Sequence, residues 1–519
     1  MQYDISWFVG KRITVMGLGL HGGGLGVAKW LLRHGAKLTV TDTKSPNDLA
    51  KSIGDLDREH SLCRKKSPFG ARIHRPKYVL GRHNETDFSR TDMVIRNPAV
   101  PREHPLLRLA ERNGVPVESD VSLFFRLCPF PVTAVTGTKG KSTTTALLSE
   151  ICRQHDGRTV VGGNIRISPM DGLDGLLKMA ARKKPAVPPP IVLELSSWQL
   201  ESLEKPGLSP DVAVVTNVMR DHLNRYRGKM SEYAAAKELI VRFQKAGDVA
   251  ILNAENPWTL AMARRLGKRD NGPEVWRFSA SSVPKTPACF VSGNSIVFDP
   301  GHGQGKAVVS LSAVKIPGEH NIANVLAAAA AALAMGIPLK TVSSAIRRFG
   351  GVPDRLEKIA VKNGIAYVND TTATTPDASI AAMSALSSGK AGSGRRTAGS
   401  GTRTATARQR PKLILIAGGA DKDLRFGEWA KVVSRSLKGL ILLSGPNTSA
   451  TPKMIRSLKG ARNQVPWVAA GSMEEAVAAA RAIAVRGDTV LLSPACASFG
   501  MFVNEFDRGD RFREAVGRA

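Results

Sequence analysis

The feature that most constrains this 519-residue chain is a glycine loop set between a predicted strand and a predicted helix. Residues 131–135 form an apolar run typical of a short buried strand, and residues 142–152 carry apolar side chains at helical spacing. The segment between them includes TGTKGKST. A glycine turn that leads from a strand into a helix can surround a phosphate with backbone N–H groups, and the helix N-terminus favours its negative charge. The pattern therefore predicts an α/β protein built around a nucleotide-binding loop.

Each residue of this loop has an expected contact with the nucleotide. The loop residues are Gly137, Thr138, Lys139, Gly140, Lys141, Ser142 and Thr143. The lysine before the serine would reach the β- and γ-phosphates, and a hydroxyl of the next two residues would help to hold Mg²⁺. The loop departs from the strict G-x-x-x-x-G-K-[ST] pattern because Val135 stands where the first glycine would be. An ordinary turn is the alternative that this segment alone leaves open.

Strand and helix patterns restart twice along the chain, which predicts three domains. The expected domains are a first at residues 1–128, a second at 129–351 and a third at 352–519. The chain begins with a predicted strand at residues 12–16, followed by a glycine turn, a helix and a second strand. Because strands and helices alternate throughout, we expect mostly parallel sheets that bind ligands at the carboxyl ends of their strands.

The first domain carries a second glycine motif that has its own interpretation. Gly17, Gly19 and Gly22 follow a predicted strand in G-x-G-x-x-G spacing, and Asp42 lies 20 positions after Gly22, at the end of the next strand. This pattern is typical of dinucleotide-binding domains, where a diphosphate lies against a helix N-terminus and an acid contacts the ribose. An NAD-dependent oxidoreductase is therefore the alternative that this domain suggests by itself. Any nucleoside diphosphate could satisfy the same pattern.

The net charge of +30 raises nucleic acid as a partner. Much of the excess lies in two irregular segments, residues 64–77 and 390–412, rather than along one helix or strand. The second segment is rich in Gly, Ser, Thr and Arg and has no hydrophobic period, so we predict a disordered surface insertion at about residues 388–411. We interpret this insertion as a solvated loop and do not expect nucleic acid binding. Docking to RNA, a membrane or a protein is the alternative.

Cysteine usage and apolar segments bear on the compartment. The five cysteines are scattered, and none are in C-x-x-C spacing, which favours reduced thiols and argues against a zinc site. The apolar stretch at residues 325–335 is too short to cross a bilayer, and the N-terminus lacks a signal-peptide pattern. We therefore expect a cytoplasmic protein without membrane insertion.

Polar residues follow two further strands of the predicted central domain. Glu194 lies near the end of a predicted strand at residues 191–195, where a second Mg²⁺ ligand belongs beside a phosphate loop. His222 follows the next predicted strand, and Lys237 lies on a later helix. Each has a structural alternative when taken singly: a capping acid, a structural histidine and a solvent-facing lysine. Their combination favours a catalytic site.

Six segments, taken in order, resemble the Mur ligase family. They are TGTKGKST, LELSSWQLE, DHLNRY with its downstream lysine, GEHNIANVLAA, NDTTATT and LLSPACASFGMF. The resemblance covers nearly the whole chain and looks most like the type that adds glutamate to UDP-N-acetylmuramoyl-L-alanine. It implies an α/β protein of three domains: a Rossmann-like UDP-binding domain, a central P-loop ATPase-like domain with a parallel sheet, and a Rossmann-like C-terminal domain for glutamate. The implied activity is an ATP- and Mg²⁺-dependent amide ligase of peptidoglycan synthesis, which displaces the oxidoreductase interpretation.

The resemblance also implies the cation sites. Ser142 and Glu194 would hold one Mg²⁺, and His222 and Lys237 would serve a second. A protonated lysine has no acceptor for a cation, and the family carbamylates this lysine; Lys237 lies 15 positions after His222, as the family pattern requires. The implied catalytic residues are Lys141, His222 and Lys237. Further ATP contacts are implied for Asn324, Arg355 and Asp370.

Substrate contacts follow from the same resemblance. Those implied for UDP-N-acetylmuramoyl-L-alanine are Leu20, His21, Thr43, Lys44 and Asn164, and those implied for glutamate are Thr374, Lys422 and Ser498. In the family reaction the alanine carboxylate attacks the γ-phosphate of ATP, and the glutamate amine then displaces phosphate from the acyl phosphate. We further predict a monomer.

Three residues depart from the family pattern. Thr372 stands where a lysine is usual, Asp354 replaces the common histidine before Arg355, and Glu505 falls where a phenylalanine usually lies near the glutamate. Since these changes cluster around the amino-acid pocket, they leave the amino acid more open than the reaction. We expect D-glutamate, with L-glutamate or another Mur-type or folylpolyglutamate-type ligation as the alternatives.

Overall fold

The computed structural model arranges the chain in three sheets with helices packed against them. It describes residues 3–19, 22–65, 73–164, 167–182, 185–221, 223, 225–301, 303–316, 318–387, 412–421, 424–460 and 465–518. The chain forms two compact units, the first of Met1–Ala313 with Ile322–Arg347 and the second of Val314–Asn321 with Arg348–Ala519. The first unit contains two of the sheets and the second contains one.

The first sheet is entirely parallel. Its strands are β1 (Arg12–Met16), β2 (Lys37–Asp42), β3 (Lys77–Leu80), β4 (Met93–Arg96) and β5 (Val117–Glu118), in the order β3-β2-β1-β4-β5. Its helices are α1 (Gly23–Arg33), α2 (Ala50–Lys65), α3 (Thr86–Ser89), α4 (Pro105–Arg112) and α5 (Asp120–Leu127). The strand order reverses between β1 and β4, so the glycine loop after β1 lies at the switch point where doubly wound sheets bind ligands. The Rossmann-like prediction for this part of the chain is confirmed.

The second sheet contains the phosphate loop. Its strands are β6 (Thr133–Thr136), β7 (Val160–Gly163), β8 (Ile191–Glu194), β9 (Val212–Val215), β10 (Val249–Asn253), β11 (Glu274–Ser279), β12 (Ala288–Ser292), β13 (Ser295–Asp299) and β14 (Lys306–Ser310). Strands β6 to β12 are parallel in the order β12-β11-β10-β9-β6-β8-β7, and β13 and β14 extend the sheet as an antiparallel hairpin. Because β6 lies between β8 and β9, the loop after β6 is flanked by the ends of both neighbours.

Among the described residues, seven α-helices lie between or after the strands of the second sheet along the chain, and one of them contains the apolar segment that is too short to span a bilayer. They are α6 (Lys141–His155), α7 (Met170–Arg182), α8 (Ser197–Leu200), α9 (Met230–Arg242), α10 (Pro257–Leu266), α11 (Glu319–Ala334) and α12 (Leu339–Arg348). Val325 and Leu326 of α11 are buried together with the alanines that follow them, as expected for a core helix. No helix in the described part of the chain combines the length and apolarity of a membrane span.

The third sheet belongs to the second unit. Its strands are β15 (Glu357–Lys362), β16 (Ile365–Asn369), β17 (Leu413–Ala417), β18 (Leu437–Leu443), β19 (Trp467–Ala470) and β20 (Thr489–Leu492), in the order β15-β16-β20-β17-β18-β19. Only β15 is antiparallel to its neighbour. The helices are α13 (Pro376–Ser387), α14 (Gly427–Ser436), α15 (Ala450–Lys459), α16 (Met473–Ile483) and α17 (Glu505–Arg518). The loop after β20 thus lies between the loops after β16 and β17. The predicted insertion at residues 388–411 lies outside the described residues.

Candidate active site

Two glycines shape the phosphate loop between β6 and α6. Gly137 has φ of +151° and Gly140 has φ of +85°, a region that side chains rarely adopt. A β-carbon would collide with the Thr216 hydroxyl at the first position and with the Asn324 side-chain oxygen at the second. The N-cap of α6 is Gly140, which has no side chain to cap the helix. The N-terminus of α6 thus lies directly at the glycine loop, which is the arrangement that binds a phosphate.

Two lysines point to one carbonyl of this loop. Lys141 Nζ donates to the Gly137 carbonyl at 2.9 Å and to the Thr138 carbonyl at 3.1 Å. Lys237 Nζ, from α9, donates to the same Gly137 carbonyl at 2.8 Å. The structure thus brings together the two lysines that the sequence assigned to catalysis.

Lys237 is almost completely buried, with 1% of its surface exposed. Burial, followed by repulsion from Lys141, lowers the pKa of Lys237 well below its ordinary value. Its ammonium position lies 4.8 Å from the ring centre of Tyr233, one turn earlier on α9. The Thr138 hydroxyl donates to the Tyr233 hydroxyl at 3.2 Å, so the loop is tied to α9 at a second point. This environment favours a neutral amine, which is the nucleophilic form.

The end of β9 holds the outer part of the loop. Thr216 and Asn217 donate side-chain hydrogen bonds to the Lys139 carbonyl at 2.6 and 3.0 Å, and Lys139 N–H donates to Asn217 Oδ1 at 3.0 Å. The Lys139 ammonium is exposed and lies 3.3 Å from Asp221. Because these contacts fix the loop backbone in advance, the N–H groups need little rearrangement to receive an anion.

Glu194 and Asn164 meet at the ends of β8 and β7. Glu194 is 1% exposed, and its Oε1 accepts a hydrogen bond from Asn164 Nδ2 at 3.0 Å. Its Oε2 is buried without a hydrogen-bond partner among the described residues. A buried carboxylate oxygen without a donor is costly unless a cation or water satisfies it. Glu194 therefore fits the role of a magnesium ligand.

The other predicted cation ligands are Ser142, His222 and Lys237. Ser142 and Thr143 are half-buried in the first turn of α6, where hydroxyls can complete an oxygen ligand set. His222 lies outside the described residues. Within the described residues no three His, Cys, Asp or Glu side chains form a metal-binding group. A cation here would depend on one acid, hydroxyls and phosphate oxygens, which is a donor set that magnesium accepts.

The glycine loop after β1 is held by the acid that its motif predicted. Asp42 Oδ2 accepts from the N–H of Gly19 at 3.3 Å, and Oδ1 accepts from the N–H of Lys44 at 3.0 Å. Thr43 and Lys44 are exposed beside it, whereas Leu20 and His21 lie outside the described residues. The carboxylate thus supports the loop backbone in addition to any role toward a ribose.

In the second unit, Asp370 follows β16 and is buried. Its Oδ2 accepts from the Ser493 hydroxyl at 2.9 Å, and its Oδ1 accepts from the Leu356 N–H at 3.2 Å. Burial raises the pKa of Asp370 to about 7, against the opposing effects of these two donors and of Arg355. Arg355 itself is exposed and follows Asp354, whose φ is +66°. Two residues assigned to ATP therefore lie close together in this unit.

Two departures from the family pattern have structural partners. Asp354 Oδ1 accepts from Asn369 Nδ2 and from Arg513 Nη2, both at 2.8 Å. Its carbonyl accepts from the Thr372 hydroxyl at 2.9 Å. The unusual aspartate and threonine are thus bonded to each other and support the loop after β16.

The loops that carry Thr374 and Ser498 are neighbours. Thr374 is half-buried, and Ser498 is 2% exposed. Ala495 N–H donates to the Ala373 carbonyl at 2.9 Å, which joins the two loops. Lys422 lies outside the described residues, so the third predicted glutamate contact is not part of this geometry.

Sequence reasoning missed Arg508, which is fully buried on α17 beside these loops. Its position could have been found from helical spacing. Phe512, Ala515 and Val516 lie four, seven and eight positions later and are buried on the same face. The arginine stands where this pattern expects an apolar residue.

Three family models match successive parts of the chain. A Mur ligase MurD-like N-terminal domain matches residues 11–119, a Mur ligase middle domain matches 135–332, and a Mur ligase glutamate ligase domain matches 354–496.

Two relatives match over nearly their whole length. A UDP-N-acetylmuramoylalanine–D-glutamate ligase of Roseiflexus sp. (strain RS-1) is 40% identical over 512 residues, which is 98% of both chains. A protein of the same name from Symbiobacterium thermophilum is 33% identical over 507 residues, again 98% of both chains. Among solved structures, a UDP-N-acetylmuramate–alanine ligase of Thermotoga maritima has a TM-score of 0.54 at 18% identity, covering 98% of this chain and 99% of that one. That likeness concerns the fold.

Proposed function

The chain belongs to the Mur ligase family, and we propose that it joins D-glutamate to UDP-N-acetylmuramoyl-L-alanine at the expense of ATP, in peptidoglycan precursor synthesis. The observation that carries the proposal is the phosphate loop with Lys141 and Lys237 on one carbonyl, in a chain that matches a D-glutamate ligase over 98% of its length. The proposed enzyme is cytoplasmic and acts as a monomer.

In this proposal the phosphate loop overcomes the repulsion between two anions. The alanine carboxylate attacks the γ-phosphorus of ATP, the bond to the β–γ bridging oxygen breaks, and ADP leaves. Lys141 moves from the carbonyls that it contacts to the transferring phosphate, while the N–H groups of residues 137–143 hold the β-phosphate. Since the loop backbone is already fixed by β9, these donors act without reorganisation.

Magnesium has two proposed sites. Ser142 and Glu194 would hold one ion, and His222 and carbamylated Lys237 would hold the other. Bound Mg²⁺ supplies neutralisation of the charge on the phosphate oxygens. A neutral amine is needed to add CO₂, and the lowered pKa of Lys237, caused first by burial, supports that step. A carbon-13 carbonyl signal in protein equilibrated with labelled bicarbonate, absent from Lys237→Arg, would identify the carbamate.

The other assigned residues complete the proposal. Asn324, Arg355 and Asp370 contact ATP; Leu20, His21, Thr43, Lys44 and Asn164 contact UDP-N-acetylmuramoyl-L-alanine; Thr374, Lys422 and Ser498 contact glutamate. The glutamate amine attacks the acyl phosphate carbon, and phosphate leaves as the amide forms. Thr372 and Asp354 are bonded to one another, which supports a framework role for both rather than a role in selecting the amino acid.

Phosphate release from ATP tests this function. We expect release that requires both UDP-N-acetylmuramoyl-L-alanine and D-glutamate, and little release with L-glutamate. In Lys141→Ala we expect release to fall by about a thousandfold or more, with an unchanged unfolding transition. Lys245→Ala, at an exposed lysine after α9, is the control and keeps full activity. Release with L-glutamate alone would change the assigned amino acid, and release that depends on neither would overturn the proposal.

A further inference from the structure

Arg508 has an unusual environment for a charged side chain. It is 0% exposed, and each of its three guanidinium nitrogens donates to a neutral oxygen. Nε donates to the Thr371 hydroxyl at 3.0 Å, and Nη2 donates to the Thr371 carbonyl at 2.8 Å. Nη1 donates to the Cys496 carbonyl at 3.3 Å. One side chain therefore bridges two separate loops.

Those loops are the ones assigned to the incoming glutamate. Thr371 lies three positions before Thr374, and Cys496 lies two positions before Ser498. The loops follow β16 and β20, which are paired in the sheet. Arg508 reaches both from α17, beyond the carboxyl ends of these strands.

We propose that Arg508 is a positioning residue for the glutamate site: it holds the loop before Thr374 and the loop before Ser498 in the spacing that amino-acid binding requires. This inference rests on the proposed function, because the two loops matter to activity only if they bind the amino acid.

The charge of Arg508 supports a role beyond packing. No described carboxylate forms an ion pair with Arg508, although buried arginines are normally paired. Burial lowers the pKa of Arg508 to about 10, with Cys496 and Glu505 opposing the decrease. The side chain thus stays protonated at neutral pH. A buried cation near a site for a dicarboxylate amino acid favours the anionic ligand.

The neighbouring glycine allows this approach. A β-carbon at Gly509 would lie 2.9 Å from Thr371 Cγ2 and 3.1 Å from Asn369 Nδ2, both closer than side chains normally approach. Because residue 509 has no side chain, α17 lies directly against the loop after β16. The arginine and glycine together set the distance between the helix and this loop.

Steady-state kinetics of Arg508→Lys test the proposal. Lysine keeps the charge. One ammonium group, however, cannot reach all three of the acceptor oxygens that the planar guanidinium of Arg508 contacts. We expect the KM for glutamate to rise about tenfold, as for the loss of one or two hydrogen bonds. The KM values for ATP and UDP-N-acetylmuramoyl-L-alanine should stay within about twofold and kcat within about threefold, since those sites are untouched. Arg511→Lys, on the same helix and 55% exposed, is the matched control and keeps all four values.

A wild-type KM for glutamate in folded Arg508→Lys would overturn the inference. Equal increases in all three KM values, or a loss in kcat alone, would also overturn it, because these indicate a general structural role. If Arg508→Lys does not fold, the comparison of Thr371→Val with Thr371→Ser tests the inference instead. The valine variant lacks the hydroxyl that accepts from Arg508 Nε, whereas the serine variant keeps it. The valine variant must therefore have the higher KM for glutamate. Wild-type protein without glutamate-dependent phosphate release would overturn the proposed function itself, and this inference with it.

Discussion

Lys141 and Lys237 donate to a single acceptor, the carbonyl of Gly137, at 2.9 and 2.8 Å. Two ammonium groups on one carbonyl repel each other, and this repulsion adds to burial in lowering the pKa of Lys237. Lys141, on the phosphate loop, is half-buried, whereas Lys237, on α9, is enclosed. The pair therefore divides into a partly accessible cation and a buried amine.

The buried amine makes stability depend on pH. Folding lowers the pKa of this lysine, so the folded state disfavours its protonated form. The stability of the protein therefore falls as the pH drops from the ordinary lysine pKa of about 10.4 toward the lowered value. We predict that Lys237→Met gains free energy of unfolding relative to wild type as pH falls from 10 to 7, by at most about 1.4 kcal/mol per pH unit. Urea unfolding in CO₂-free buffer measures this. Lys245→Met, at an exposed site, should show no such trend, and a pH-independent difference for Lys237→Met would contradict the burial argument.

Gly140 is required for backbone geometry. We predict that Gly140→Ala loses about 1 kcal/mol or more of stability, because its φ is +85° and the new carbon meets the Asn324 side chain. It should also bind ATP more weakly, which isothermal titration measures. Gly157→Ala, where no atom lies within 4 Å of the new carbon, should change stability by no more than about 0.5 kcal/mol. Similar stabilities for the two variants would count against the tight turn.

Glu194 is predicted to set the magnesium requirement. In Glu194→Gln the amide oxygen can still accept from Asn164, but an NH₂ group replaces the oxygen that has no partner among the described residues. We expect the Mg²⁺ concentration for half-maximal activity to rise about tenfold or more, because a neutral donor cannot ligate a cation. Glu274→Gln, at an exposed strand position, is the control. An unchanged magnesium curve would remove Glu194 from the cation site.

Asp370 gives the opposite pH dependence from Lys237. Its pKa is raised by burial to about 7, so its contribution to stability is full below the ordinary aspartate pKa of about 3.9 and is lost as pH rises through 7. We predict that Asp370→Asn gains free energy of unfolding relative to wild type as the pH rises from 4 to 7. Above pH 7 the difference between the two proteins should stay constant. The amide can keep both hydrogen bonds, with its oxygen to the Leu356 N–H and its nitrogen to the Ser493 hydroxyl. Thermal unfolding across pH measures this, with Asp377→Asn, at an exposed site, as the control; a flat difference would contradict the raised pKa.

The parallel framework could be predicted because buried strands leave strong apolar runs. The strand Arg12–Met16 has the predicted bounds, and α6 begins one residue before its predicted start. The hairpin of β13 and β14 was not predicted, since its strands are partly polar and lie at the end of the sheet.

The site was predictable only where one short segment carries the chemistry. The phosphate loop is continuous in sequence, so its residues could be named in advance. The shared carbonyl of Lys141 and Lys237 could not, because α9 reaches the loop through tertiary packing and not through sequence proximity. Arg508 was missed because it stands in a helix with several other charged residues, although its spacing from Phe512, Ala515 and Val516 places it on the apolar face of that helix. The domain boundaries at residues 128 and 351 stay predictions.

The most direct test of the central claim follows one oxygen atom. UDP-N-acetylmuramoyl-L-alanine labelled with oxygen-18 in its alanine carboxylate is incubated with the protein, ATP, Mg²⁺ and D-glutamate, and the released phosphate is analysed by mass spectrometry. If the carboxylate attacks the γ-phosphorus, each phosphate carries one labelled oxygen, because the carboxylate oxygen that forms the acyl phosphate leaves with it. Unlabelled phosphate would show that ATP is hydrolysed by water, and would contradict the assignment of this chain as a ligase that activates a carboxylate.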